Sequence, residues 1–220
     1  MRVAVLLHGR YANYLDEYAS LLRAIGYQHE VDVFYSKNSE EAQNDDDFIN
    51  FVKPVAHVIA PIEYDEKLKE YPKRYESNYH NTLCMMRNRQ RVWELFEQNK
   101  TKDYDICISS RADLLFRSDF DLDEFMKNRD FLYIPLADDY GGLSDHIAVG
   151  HPNIIKTYLN IYKNLINLLR GGTIFHPETL LRSHVINTGT PVSRFHLSWG
   201  LSRRLDNTPV YIRKGSSLWS

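Results

Sequence analysis

Cysteine is scarce in this chain: Cys84 and Cys107 are the two among 220 residues. Two thiols cannot build a disulfide framework, and the expected compartment is a reducing one, the cytoplasm. Long apolar runs are missing too. No stretch approaches the roughly 20 residues needed to cross a bilayer, and the opening Met1-Arg2-Val3-Ala4-Val5-Leu6-Leu7-His8-Gly9 is too short and too soon broken for a secretory signal. Net charge is nearly absent, with 27 Lys+Arg against 29 Asp+Glu and a formal charge of −2. Without a basic excess, generic nucleic-acid binding is not expected. The sequence has no Gly-x-Gly-x-x-Gly fingerprint and no Walker loop, which excludes ordinary dinucleotide and ATP sites. It has no His-Glu-x-x-His or Cys-x-x-Cys either, which argues against a dedicated zinc centre.

What is present is ordinary globular material, 43% hydrophobic and 25% charged, enough for one domain with a substantial core. No repeat, low-complexity tract or linker divides residues 1–220, so one domain is expected, and it can be a piece excised from a longer protein. Val3 to Leu7 is a continuous apolar run, as in a strand buried on both faces. Tyr14, Tyr18, Leu21, Leu22 and Ile25 then recur at helical spacing before Gly26, a suitable stop. Val31 to Ser36 and Val55 to Ile59 read as further strands on either side of a polar helix. The opening is therefore β-α-β-α-β, the pattern of a layered α/β domain with a mostly parallel central sheet flanked by helices. Residues 61–75 read as a surface loop and Asn78 to Gln98 as a long helix. Strands are expected at Asp105–Ser110, Phe131–Pro135 and His146–Val149. Asn153 to Arg170 reads as one helix, and a last helix begins near Pro177.

Charge is unevenly spread. Residues 103–145 carry 4 basic and 11 acidic side chains, whereas residues 151–220 carry 9 and 2. Two complementary surfaces explain this as well as a site where carboxylates hold a cation and basic groups meet an anion. The most informative segment is Tyr104-Asp105-Ile106-Cys107-Ile108-Ser109-Ser110-Arg111-Ala112-Asp113-Leu114-Leu115-Phe116, a buried strand that delivers an Arg and an Asp. Ligands of parallel α/β sheets gather at the carboxyl ends of strands. Asp113 there suits Mg²⁺ or Mn²⁺ bridging phosphate oxygens, and Arg111 suits a diphosphate; a structural ion pair is the alternative. After the first strand, Gly9 permits close backbone approach, and Arg10 can meet a base or a phosphate. Glu178 suits a helix start, and Arg203 and Arg204 suit an anion. On the long helix, Arg87 and Arg91 share a face from which Arg89 points away, and a solvated face is expected for these arginines.

Arg111-Ala112-Asp113 at a strand end resembles the Asp-x-Asp element of GT-A glycosyltransferases, with Arg111 in place of the first aspartate and Asp113 as the second. The whole segment is similar to that of bacterial and large-virus polysaccharide glycosyltransferases. Leu6-Leu7-His8-Gly9-Arg10 and Ser144-Asp145-His146-Ile147-Ala148-Val149-Gly150 fit the same group, and the resemblance spans most of residues 2–200. It implies a single GT-A-like, Rossmann-like domain. The activity would be transfer of a sugar from a nucleotide-diphosphate donor, a UDP-sugar, to a glycan or glycoprotein acceptor, assisted by Mn²⁺ or Mg²⁺. The donor would meet His8, Gly9, Arg10, Ser36, Arg111, Asp113 and Arg203. Asp113 and, by a looser match, His196 would hold the metal. Inverting transfer needs a base for the acceptor hydroxyl, for which Asp145 is the candidate. Asp138, Asp139 and Glu178 are candidate sugar or acceptor contacts. A metal-dependent phosphoesterase or nucleotidyltransferase, or a glycan-binding module without turnover, remain the alternatives.

Overall fold

The computed structural model describes residues 1–39, 45–62, 64–74 and 77–202. Its centre is a seven-stranded sheet in the order β3-β2-β1-β4-β7-β6-β8. The strands are β1 (Arg2–His8), β2 (Glu30–Asn38), β3 (Ala56–Ala60), β4 (Ile106–Arg111), β6 (Leu132–Pro135), β7 (Ile147–Gly150) and β8 (Val192–Phe195). β7 runs antiparallel to both β4 and β6, and the other pairings are parallel. β5 (Leu114–Phe116) and β9 (Trp199–Leu201) form a separate antiparallel pair. The helices are α1 (Tyr14–Ile25), α2 (Asp45–Val52), α3 (Tyr79–Asn99), α4 (Leu122–Met126), α5 (Pro152–Leu159), α6 (Ile161–Arg170) and α7 (Pro177–Asn187).

β1 explains the layering. Its side chains alternate, so Ala4 and Leu6 join a core with Met86, Trp93 and Phe96 of α3. Val3, Val5 and Leu7 join a second core with Leu21 and Ile25 of α1. A strand that feeds two apolar layers must be apolar at every position. The α/β, mostly parallel expectation is therefore met. Among the described residues no helix is long and apolar enough to cross a membrane, and Cys84 and Cys107 are buried and form no disulfide.

Local differences from expectation have local causes. The helix expected over 153–170 is two helices, because the Asn160 side chain donates to the Lys156 carbonyl (2.9 Å) and ends α5. Within the expected loop 61–75, Glu66–Glu70 forms a 3-10 turn that starts when the Asp65 side chain accepts from the Lys67 amide (3.0 Å) and that buries Leu68. β2 extends past Ser36 through Lys37 and Asn38. These two polar residues are buried because Lys37 pairs with Asp45 (2.5 Å) and Asn38 bonds to Asn88 (2.6 Å).

Candidate functional site

The strand order reverses at β1, which has β2 on one side and β4 on the other. In open α/β sheets such a switch point, at the carboxyl ends of the strands, is where a crevice forms and ligands collect. Here the two strand ends are His8 and Arg111, which are register partners, and the Ala112 amide donates to the His8 carbonyl (3.0 Å). Because β7 is reversed, its starting end lies on the same edge, and it brings Asp145 and His146 there: the Arg111 amide donates to the His146 carbonyl (3.1 Å). Three segments distant in sequence thus converge through backbone pairing alone.

Arg111 and Asp113 form a two-pronged pair, Nε to Oδ1 at 2.9 Å and Nη2 to Oδ2 at 2.7 Å. The aspartate is nearly inaccessible, while the arginine remains partly exposed. The chain returns to this point after β9, where the Ser202 amide donates to the Asp113 carbonyl (2.9 Å). Arg203 and Arg204 lie outside the described residues.

Asp145 is buried. Arg89 Nη2 donates to its carbonyl and lies 3.6 Å from its carboxylate, and His146 Nε2 is 3.5 Å from the other oxygen. Burial pushes the Asp145 carboxyl up, but His146, Arg89 and Arg111 outweigh it and hold the group below the ordinary carboxylate value. His8 is also buried, 3.3 Å from the Ser109 hydroxyl. Burial first, then Arg89, Arg111 and His146, holds its pKa far below the usual value, so this imidazole is neutral at pH 7. Glu178, at the start of α7, is pushed up to about 8 by burial and next by the charge of Asp145.

Other expected site residues are drawn into structural duties. Gly9 takes φ +85° with open space around it, so backbone conformation rather than crowding selects glycine. Its amide donates to the Ser36 carbonyl (2.9 Å), and its carbonyl accepts from Tyr35 Oη (3.0 Å). The Ser36 hydroxyl is fully buried and donates to Asn88 (3.2 Å), so Ser36 shapes the turn through its backbone. Arg10 is exposed on that turn. Glu17 holds the same turn from below by accepting from the Ala12 and Asn13 amides. Asp139 is committed within its own loop, accepting from the Ser144 amide (2.9 Å) and from Arg194 Nη2 (2.8 and 2.6 Å). Asp138 is half-buried, 3.6 Å from His146 Nδ1. His196 is exposed between β8 and β9. The structure thus gathers His8, Arg111, Asp113, Asp145 and Glu178 into one electrostatic cluster and leaves Arg10 and His196 on the surface.

One reading of the sequence is corrected. Arg89 does not belong to a solvated face: it is 0% exposed, with its guanidinium 5.1 Å from the Tyr158 ring centre. The signal was available, since Met86, Arg89, Trp93 and Phe96 fall on one stripe at three- and four-residue spacing. A charged residue among core positions needs a buried partner, and Asp145 is that partner. His146 and Ser109 were equally overlooked as site-lining groups.

No protein-family model matches the chain, and no curated protein matches it.

Proposed function

We propose that the protein is a glycosyltransferase that uses a nucleotide-diphosphate sugar, a UDP-sugar in the simplest case, and passes the sugar to a glycan or glycoprotein acceptor. The observation that carries this reading is the convergence of an accessible arginine, Arg111, and a buried ionised carboxylate, Asp145, at the β1/β4 switch point. A diphosphate needs fixed positive charge, and Arg111, locked by Asp113, supplies it without losing side-chain freedom on binding. Arg10 adds charge on the neighbouring turn. Asp145 is already desolvated and oriented by Arg89, as suits a carboxylate that accepts a hydrogen bond from an acceptor hydroxyl and takes up its proton. A carboxylate held at low pKa is a weak base, so its contribution is chiefly orientation and charge stabilisation, with proton uptake late in the transfer.

A divalent cation, Mn²⁺ or Mg²⁺, belongs to the same reading. Among the described residues no group of three or more His, Cys, Asp or Glu side chains is placed to hold a metal by itself. Mg²⁺-type sites that use one or two carboxylates plus substrate phosphates need no such group. Asp113, whose two oxygens also accept from Arg111, is the carboxylate proposed for that second kind of site. His196 is the second side chain proposed to hold the ion, from the sequence resemblance. Bound with the donor, the cation would neutralise developing charge on the leaving diphosphate.

Isothermal titration with UDP, with and without Mn²⁺, tests the reading. Binding by the wild type that is lost or at least tenfold weaker in Asp113→Ala is expected. No binding by the wild type, or equal binding by Asp113→Ala, would refute it. Release of free UDP from a UDP-sugar, rather than of phosphate or pyrophosphate, separates glycosyl transfer from phosphoester chemistry.

A further inference from the structure

The site contains a second buried carboxyl, Glu178, whose surroundings are unlike those of Asp145. The groups that face it are His176 at the start of its own helix, Asp145 from the loop before β7, Arg89 from α3, Tyr158 from α5, Arg111 from β4, and Arg74. Three of these are arginines, and none of the three donates to Glu178: Arg89 Nη2 bonds to the Asp145 carbonyl while its Nε and Nη1 make no hydrogen bond among the described residues, Arg111 bonds to Asp113, and Arg74 bonds to the Tyr140 carbonyl. Glu178 Oε2 is buried and makes no hydrogen bond among the described residues; His176 Nε2 is 3.3 Å away but outside bonding geometry. Its own backbone amide favours the charged form, but an ionised carboxylate in that position would be desolvated, with Oε2 unbonded, and next to the negative charge of Asp145, whereas a protonated one forfeits far less.

We propose that Glu178 carries a proton at neutral pH and acts as a positioning residue, keeping a second negative charge away from Asp145 and from an anion bound at Arg111. Two interacting carboxyls are thereby driven to opposite protonation states, the arrangement that separates acid and base duties in carboxylate pairs. The proposal rests on the glycosyltransferase reading only for the identity of the anion, a nucleoside diphosphate. The protonation state itself requires no ligand.

Two measurements on the ligand-free chain decide it. Carboxyl ¹³C NMR should show Glu178 protonated at pH 7 and titrating near pH 8, and in Asp145→Asn that titration should move down by at least one pH unit. A group whose folded pKa is raised from 4.5 retains a proton that the unfolded chain releases, so it costs stability as pH rises from about 4.5 to 8. The thermal midpoint of the wild type should therefore fall by several degrees relative to Glu178→Gln between pH 5 and 8. A third arm uses UDP: wild-type affinity should weaken above pH 8, and that loss should disappear in Glu178→Gln. Titration of Glu178 in the ordinary carboxylate range, no response to Asp145→Asn, or parallel midpoints in the two proteins would overturn the proposal. Absence of UDP binding with the first two results intact would overturn only the glycosyltransferase reading.

Discussion

Gly142 offers a sharp test of how the loop before β7 is seated. A Cβ built on it overlaps the carbonyl carbon and oxygen of Glu178 and lies 2.5 Å from the Thr179 nitrogen. These are backbone atoms of the first turn of α7, which cannot swing aside as a side chain would. The adjacent Leu143 amide donates to that same Glu178 carbonyl (3.0 Å), so moving the loop away also breaks this bond. Overpacking costs about 1–3 kcal/mol and the lost hydrogen bond about 1 kcal/mol. Gly142→Ala should therefore destabilise the fold by roughly 2–4 kcal/mol, a fall of about 5–15 °C in thermal midpoint for a chain of this size. Urea unfolding should show a lower midpoint concentration with an unchanged slope. Gly172→Ala is the control: Gly172 has φ +86° and nothing within 4 Å of its built Cβ, so alanine there costs only backbone strain of about 1 kcal/mol. Equal losses in the two variants would refute the claim that contact with α7 forces glycine at position 142. The loop runs directly into Ser144 and Asp145, so UDP binding should also weaken in Gly142→Ala and stay unchanged in Gly172→Ala.

Other expectations follow from single contacts. Arg89→Met strands the buried Asp145 carboxylate and should cost about 3–5 kcal/mol, with Arg89→Lys intermediate; a loss under about 1 kcal/mol in chemical denaturation would contradict the pairing. Asp139→Ala removes the acceptor of the Ser144 amide and Arg194 and, being partly exposed, should cost about 1–2 kcal/mol; stability equal to wild type would show that the loop holds itself without it. Arg111→Lys keeps the charge but loses the two-pronged bond to Asp113. It should weaken UDP binding several-fold with little change in thermal midpoint, and an undiminished affinity would remove Arg111 from the proposed donor site.

Much of the architecture was legible in the chain. The apolar run Val3–Leu7 had to lie between two layers, and it does. Asp105–Ser110, followed by Arg111 and Asp113, had to be a buried strand with its polar end at a crevice edge. Pro177 marked the start of α7 and Gly26 the end of α1. Three short strands could not be placed residue by residue. β5, β8 and β9 are three or four residues long and exist only through pairing with distant segments, which a local pattern cannot register. Within the site, the sequence separated the strand-end residues from the bulk of the charged surface. It could not tell how its carboxylates were already engaged: Asp138 and Asp139 are neighbours of the same chemical type, yet Asp139 is bound by Arg194 and Ser144 while Asp138 accepts from the Tyr140 hydroxyl and lies beside His146.

The near balance of 27 basic and 29 acidic residues and the 4-to-11 and 9-to-2 divisions were properties of the sequence alone, as were the α/β alternation and the placement of Arg111 and Asp113 at a strand end. Tertiary structure decided the partnerships. Periodicity says which side of α3 is buried, but pairing Arg89 with Asp145, 56 residues away, depends on the reversed β7 being laid beside β4. The reversal brings Asp145 to the same sheet edge as His8 and Arg111, and burial there then divides two chemically similar carboxyls, Asp145 and Glu178, by their access to a buried guanidinium. Desolvation and proximity set those electrostatics, and both are properties of the folded chain.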